Sequence, residues 1–145
     1  MRIEFSVRYQ HSVERVFPYL AEPEKWLEYV PALVERTRID PGPLGPGSRW
    51  RSVDRVGPFR VHFVDELVAL EPDRRVEFRQ SAPWNSRVEY RVDPDGGATI
   101  VHVEFTASPS GRVAWLGLMP DALATRIFRR DMEGLATVLA ATDAA

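Results

Sequence analysis

The feature that most constrains this chain is a change of period. From Val34 to Ala107, apolar residues recur at every second position, in segments near 33–39, 48–56, 59–70, 75–81, 86–93 and 98–107. Alternation of this kind is the mark of strands with one buried face. Turn residues close each segment: Pro41 to Gly47, Gly57-Pro58, Glu71 to Arg74, Ala82 to Asn85 and Pro94 to Gly97. Short turns between alternating segments predict an antiparallel meander. Residues 2–9 add one more strand, with Ile3, Phe5, Val7 and Tyr9 on one face. Helical spacing appears only at two places. Ser12 is placed to cap a stripe of Val13, Val16, Phe17 and Leu20, and Pro23 opens a second short helix over 23–28. Pro18 lies inside the first helix, where it removes a hydrogen bond. After Pro109 and Gly111 the period returns to 3.6. Leu116, Met119, Leu123 and Ile127 form one stripe there, and Phe128, Met132, Leu135 and Leu139 continue it. Pro120 predicts a kink or a restart of that helix.

Short turns also fix register. A turn at Gly57-Pro58 sets Trp50 against Asp65, Ser52 against Phe63 and Asp54 against Val61 on one face, and Arg49 against Glu66 on the other. The next turn sets Asp65 against Gln80, Leu67 against Phe78 and Glu66 against Arg79. The hairpin after that has two registers that keep the faces consistent. One opposes Arg79 to Arg87 and Glu77 to Glu89; the other opposes Arg79 to Glu89 and Glu77 to Arg91. Like charges directly opposed destabilise, so the second is expected. A turn over Pro94 to Gly97 then sets Val92 against Thr99, Tyr90 against Val101, Glu89 against His102 and Arg87 against Glu104. The result is a charged stripe, Arg49, Glu66, Arg79, Glu89 and His102, on a wet face, and a dry face that something must cover. The C-terminal helix is the only element long enough. The expected fold class is α+β: a curved seven-stranded antiparallel sheet around one long C-terminal helix, with two short helices between the first two strands.

The chain has 145 residues, which suits one domain spanning 1–145. It has no Cys, which excludes a disulfide framework and any thiolate site. Nineteen basic residues stand against 21 acidic ones, a net charge of -2 that argues against nucleic-acid binding through a broad basic field. No stretch is long and apolar enough to span a membrane, and Met1 to Gln10 lacks a signal-peptide core, so the cytoplasm is the expected compartment. His11, His62 and His102 do not share metal-ligand spacing, no Gly-x-Ser-x-Gly elbow occurs, and no metal or cofactor is expected. The Gly42 to Gly47 segment has Pro where phosphate-cradling amides would be needed, so it is read as a loop. Arg126, Arg129 and Arg130, with Asp131 and Glu133, are read as the solvated side of the last helix.

The wording of several segments resembles one superfamily. Ala21-Glu22-Pro23-Glu24-Lys25-Trp26 follows the first helix, and Gly45-Pro46-Gly47-Ser48-Arg49-Trp50 opens a strand. Val68-Ala69-Leu70-Glu71-Pro72-Asp73-Arg74-Arg75-Val76-Glu77-Phe78 spans a hairpin, and Gly96-Gly97-Ala98-Thr99 forms a turn. Together with the element order, these resemble the START-like, Bet v 1-like helix-grip superfamily (SRPBCC), in its polyketide cyclase/dehydrase and lipid-transport branch. The resemblance covers nearly the whole chain. It implies a cavity between sheet and long helix that binds apolar or amphipathic small molecules.

The candidate site residues are polar or aromatic groups on the dry face. Asp65 lies among Val61, Phe63 and Leu67, flanked by Trp50 and Gln80. Burial there raises a carboxyl pKa unless a cation compensates. Asp65 is therefore the candidate acid/base or ligand-orienting group, with Tyr90 as its companion; a rim position or a bond to Trp50 or Gln80 is the plainer alternative. Ser52 and Asp54 also face inward by parity, although Asp54 is close to a turn. Trp50, Phe63 and Tyr90 form either a ligand wall or plain core. Trp26, Tyr29, Trp84 and Trp115 sit outside the main strands and suggest a pocket mouth. Met119 and Leu123 complete the expected ligand-binding set with Gln80. The leading expectation is a protein, monomeric or homodimeric, whose partner is a hydrophobic small molecule. The alternatives are a polyketide cyclase or aromatase-like dehydratase, and a protein-interaction module.

Overall fold

The computed structural model describes residues 1–143; Ala144 and Ala145, the end of the expected domain, lie outside the described residues. Alternation over residues 2–9 becomes strand β1 (Arg2–Tyr9), followed by helix α1 (Val13–Ala21), which runs through Pro18. Pro23 opens a 3-10 helix, Pro23–Glu28. The meander follows as β2 (Leu33–Arg38), β3 (Arg49–Val56), β4 (Phe59–Glu71), β5 (Arg75–Gln80), β6 (Ser86–Asp95) and β7 (Ala98–Ala107). A second 3-10 helix, Gly111–Leu118, precedes α2 (Asp121–Asp143), so the helix restarts at Pro120. All seven strands form one antiparallel sheet in the order β1-β7-β6-β5-β4-β3-β2.

The register around the two tight turns is as expected. Trp50 faces Asp65 and Arg49 faces Glu66, while Asp65 faces Gln80 and Leu67 faces Phe78. Two other hairpins differ. Across β5 and β6, Arg79 faces Arg87 and Glu77 faces Glu89. The opposed like charges are neutralised diagonally: Arg75 bonds Glu89 at 2.7 Å, Arg91 reaches Glu89 at 3.2 Å, and Arg87 pairs with Glu77. This register also sets buried Gln80 against Ser86, whose hydroxyl donates to the Gln80 carbonyl at 2.5 Å. The alternative would have opposed that amide to Val88, and a buried amide needs its partner. Across β6 and β7, the turn is only Gly96-Gly97, with Gly96 at φ 62°. Pro94 and Asp95 therefore belong to the strand, and every pair moves by two: Val92 faces Val101, Tyr90 faces Val103, and Glu89 faces Glu104 rather than His102.

On the concave face, α2 rests chiefly on β1. The Tyr9 hydroxyl donates to the Met132 carbonyl at 2.6 Å, tying β1 to the middle of the helix. Gly134 permits close approach to the first 3-10 segment, since a Cβ there would lie 3.3 Å from the Tyr29 carbonyl oxygen. The buried line of α2 is Ala124, Met132, Leu135 and Leu139, with Phe128 partly covered. Leu123 and Ile127, expected in the core stripe, are exposed because the face of α2 turned to the sheet carries Ala124, Phe128, Met132, Leu135 and Leu139 instead. Leu135→Ala should then cost about 2–5 kcal/mol, and Leu123→Ala less than about 0.5 kcal/mol. Urea denaturation of the two variants checks the orientation of the helix.

Candidate functional site

Between the middle of α2, the first 3-10 segment and the sheet lies a cavity of about 290 Å³. Its walls are largely aromatic. Trp26 packs edge-on to Phe78 and Tyr90, with ring centres 5.0 and 5.9 Å away. Phe63 meets Trp84 at 6.3 Å, and Phe105 meets Phe128 at 5.1 Å. Of the residues expected from sequence, Trp26, Tyr29, Phe63, Asp65, Gln80, Trp84 and Tyr90 line this space. The others are placed elsewhere. Trp50 is fully buried behind the wall, its indole N–H donating to Glu24 at 2.5 Å. Ser52 lies beneath Asp65 as a hydrogen-bond partner. Trp115 is 57% exposed, Leu123 is exposed, and Met119 packs against the core without lining the cavity. A larger depression of about 450 Å³ on the outer face is lined by Glu66, Arg79 and Arg87, which are solvated, and has no aromatic wall.

The base of the cavity is an ion pair that the alternation of β2 does not announce. Arg36 on β2 donates to Asp65 at 2.6 Å through Nη2, to Ser52 at 3.0 Å through Nε, and to the Pro23 carbonyl at 3.0 Å through Nη1. Its guanidinium also stacks over Trp26, 4.6 Å from the ring centre. Ser52 passes the contact on, donating to the same Asp65 oxygen at 2.6 Å. Both charged side chains are sealed from water. One Asp65 oxygen, Oδ1, and the Trp84 indole nitrogen are buried with no hydrogen-bond partner among the described residues. The Tyr90 hydroxyl is held neutral: burial pushes its pKa well up.

Two further carboxyls line the cavity. Burial pushes Asp54 up to about 7; Arg36 and the nearby Trp84 indole pull it down, while Asp65 and Asp131 add to the rise. Burial pushes Asp131 up to about 6 against the pull of Arg130. Asp131 thus belongs to the cavity and not to the solvated side of α2. The signal is present in the sequence, because Asp131 follows Phe128 by three and Ile127 by four, which puts them on one helix face. Arg36 carries no such signal. The long loop from Ile39 to Ser48 leaves the β2–β3 register undetermined, and a bulge near Val34 shifts parity within β2. Asp54 is visible by parity, and the turn beside it leaves it half-buried.

A family model described as polyketide cyclase / dehydrase and lipid transport matches residues 1–142. The chain belongs to that family. No curated protein matches it in sequence. Among solved structures, it is similar to TTHA0849 from Thermus thermophilus, at 16% identity and a TM-score of 0.79, with 98% of this chain and 99% of that one covered. It is similar to Ara h 8.0201 at 11% identity and a TM-score of 0.71, covering 97% and 98%. It is also similar to Ms6760 from Mycobacterium smegmatis at 20% identity and a TM-score of 0.67, covering 97% and 92%. These likenesses establish the helix-grip, Bet v 1-like fold. Family and fold together support hydrophobic ligand binding in general terms. No helix among the described residues is long and apolar enough to cross a membrane.

The electrostatics of the site predict two effects on stability. Arg36→Met leaves Asp65 buried and unpaired and should cost about 3–5 kcal/mol, whereas adding Asp65→Leu should restore most of that loss. A double-mutant cycle by chemical denaturation measures it. Asp54 and Asp131 have folded pKa values above the unfolded value of 3.8. The folded chain therefore binds more protons than the unfolded one in that interval, and stability falls as pH rises from about 4 to about 7, then levels. Asp54→Asn should flatten that slope and gain on the order of 2 kcal/mol at pH 8. Urea midpoints at pH 5 and pH 8 test the sign.

Proposed function

We propose that this chain binds a small, mainly apolar molecule between the sheet and α2. The observation that carries this reading is the cavity itself, walled by Trp26, Phe63, Trp84, Tyr90 and Phe105. A well-packed interior leaves few voids larger than a water, and pairs its buried polar atoms. A space of about 290 Å³ lies at the small end of the ~300–1,000 Å³ typical of ligand sites. It suits a molecule of one or two rings and cannot enclose a long acyl chain. Asp65, Tyr90, Trp26, Tyr29, Phe63, Gln80 and Trp84 are the proposed contacts, joined by Arg36, Asp54 and Asp131. The proposed compartment is the cytoplasm.

A second reading, a cyclase or dehydratase, draws on one observation: the Asp54 carboxyl at about 7, a value suited to moving protons near neutral pH. Asp65 is less suited to that role, since Arg36 and Ser52 already occupy its Oδ2. It would orient a substrate, with Tyr90 as the hydrogen-bond donor.

The test uses the neutral two-ring dye Prodan (6-propionyl-2-dimethylaminonaphthalene) with the purified protein. Its fluorescence should rise on binding, and Ala32→Trp, at an exposed position that lines the cavity, should abolish the rise while leaving the melting temperature unchanged. Binding undiminished in that variant would place the dye elsewhere and overturn the reading. Incubation of the same protein with a linear poly-β-ketone thioester separates the two readings, because only the enzyme gives cyclised or dehydrated product.

A further inference from the structure

The charged groups of the cavity do not balance. Its lining holds one guanidinium, Arg36, and three carboxyls, Asp54, Asp65 and Asp131. Arg36 is fully engaged by Asp65, by Ser52, by the Pro23 carbonyl and by the face of Trp26. Asp54 and Asp131 make no ion pair among the described residues. They come from opposite walls, Asp54 from β3 and Asp131 from α2. Asp65, beneath them, has one oxygen that is fully buried and without a partner among the described residues. A half-buried carboxylate without a cation is costly, and two in one cavity repel each other.

We infer that the molecule taken up is a small organic cation, an amine with an aromatic or compact alkyl body, whose charged nitrogen faces Asp54 and Asp131. This rests on the ligand-binding reading above and names the ligand's class. The aromatic wall supports it independently. Tyr90, Phe63 and Trp84 line the space, and aromatic rings attract a cation over their faces but not an anion. A fatty acid or enolate would bring a negative group to two unneutralised carboxyls, and the cavity holds no free guanidinium to receive it.

Binding of such a cation must depend on pH. The groups facing Asp54 are Arg36 from β2, Asp65 from β4, Trp84 from the β5–β6 turn and Asp131 from α2; Arg130 neighbours Asp131. Tyr29 and Tyr90 stay neutral, because burial pushes both well up. Protonating Asp54 and Asp131 removes the attraction. An amine should thus bind weakly at pH 5 and tightly at pH 8, with proton release on binding between those values. A neutral ligand of the same shape should show little of this.

The experiment displaces Prodan with 2-phenylethylamine, 2-phenylethanol and 3-phenylpropanoate at pH 5 and pH 8. At pH 8 the amine should displace the dye at concentrations at least about tenfold lower than the alcohol, with the carboxylate weakest. At pH 5 the amine's advantage over the alcohol should vanish. Asp54→Asn and Asp131→Asn should each lower amine affinity about tenfold more than they lower the alcohol's. Melting curves by circular dichroism show that the variants are folded. Equal or better displacement by the alcohol or carboxylate at pH 8 overturns the inference and leaves the ligand-binding reading standing. So does dye binding that none of the three displaces. Absence of dye binding overturns both.

Discussion

The structure depends on a mismatch of areas. Seven strands about 4.8 Å apart make a sheet about 29 Å across, whereas one helix with its side chains is about 10–12 Å wide. The dry face of this sheet cannot be covered by α2 alone. The helix settles toward one edge, against β1, where the Tyr9 hydroxyl holds its backbone at Met132. Over β6 and β7, α1 adds Leu20, and toward β2 the first 3-10 segment adds Trp26 and Tyr29. What neither helix covers is the cavity. Leu123 and Ile127 remain in solvent, and Ile127 lines that space.

The Arg36–Asp65 pair belongs to this geometry. A charge on an inner sheet face is tolerable only if it is paired and its remaining hydrogen bonds are made. Arg36 meets that condition with three bonds and a ring contact. It joins β2, β3, β4 and the 3-10 segment through one side chain, at the end of the sheet that α2 does not reach. A hydrophobic pair of similar volume could hold those strands as well. It would not leave the second Asp65 oxygen buried without a partner among the described residues, nor set a fixed positive charge that draws Asp54 down while burial pushes it up.

The legibility of this molecule follows the length of its turns. Where two residues or a tight reversal join the strands, arithmetic alone places Trp50 on Asp65 and Leu67 on Phe78. The β5–β6 hairpin turns through five residues, 81–85, and there the pairing rule for direct neighbours points the wrong way. Diagonal ion pairs satisfy the charges, and the choice falls to Gln80 and Ser86. At Gly96-Gly97 the difficulty is Pro94. A proline just before two glycines reads as the start of a turn, but Pro94 sits in the strand opposite Thr99. The cavity's aromatic members are visible as large residues outside the core pattern. Its charged members are not all visible: Asp131 is hidden among arginines on a helix, and Arg36 lies beyond a loop too long to transmit register.

The cavity is not a sealed void. It opens to solvent beside the exposed Ala32 and Ile127, so water fills it when no ligand does. Asp54 and Asp131, half-buried at its edge, make it wet enough to hold water, as a void lined by Leu and Phe alone would not be. An arriving ligand displaces that water from aromatic walls, which favours binding, and leaves the carboxyls to be satisfied by the ligand itself. The groups that make the unoccupied state tolerable are therefore the same groups that decide which molecule can replace the water.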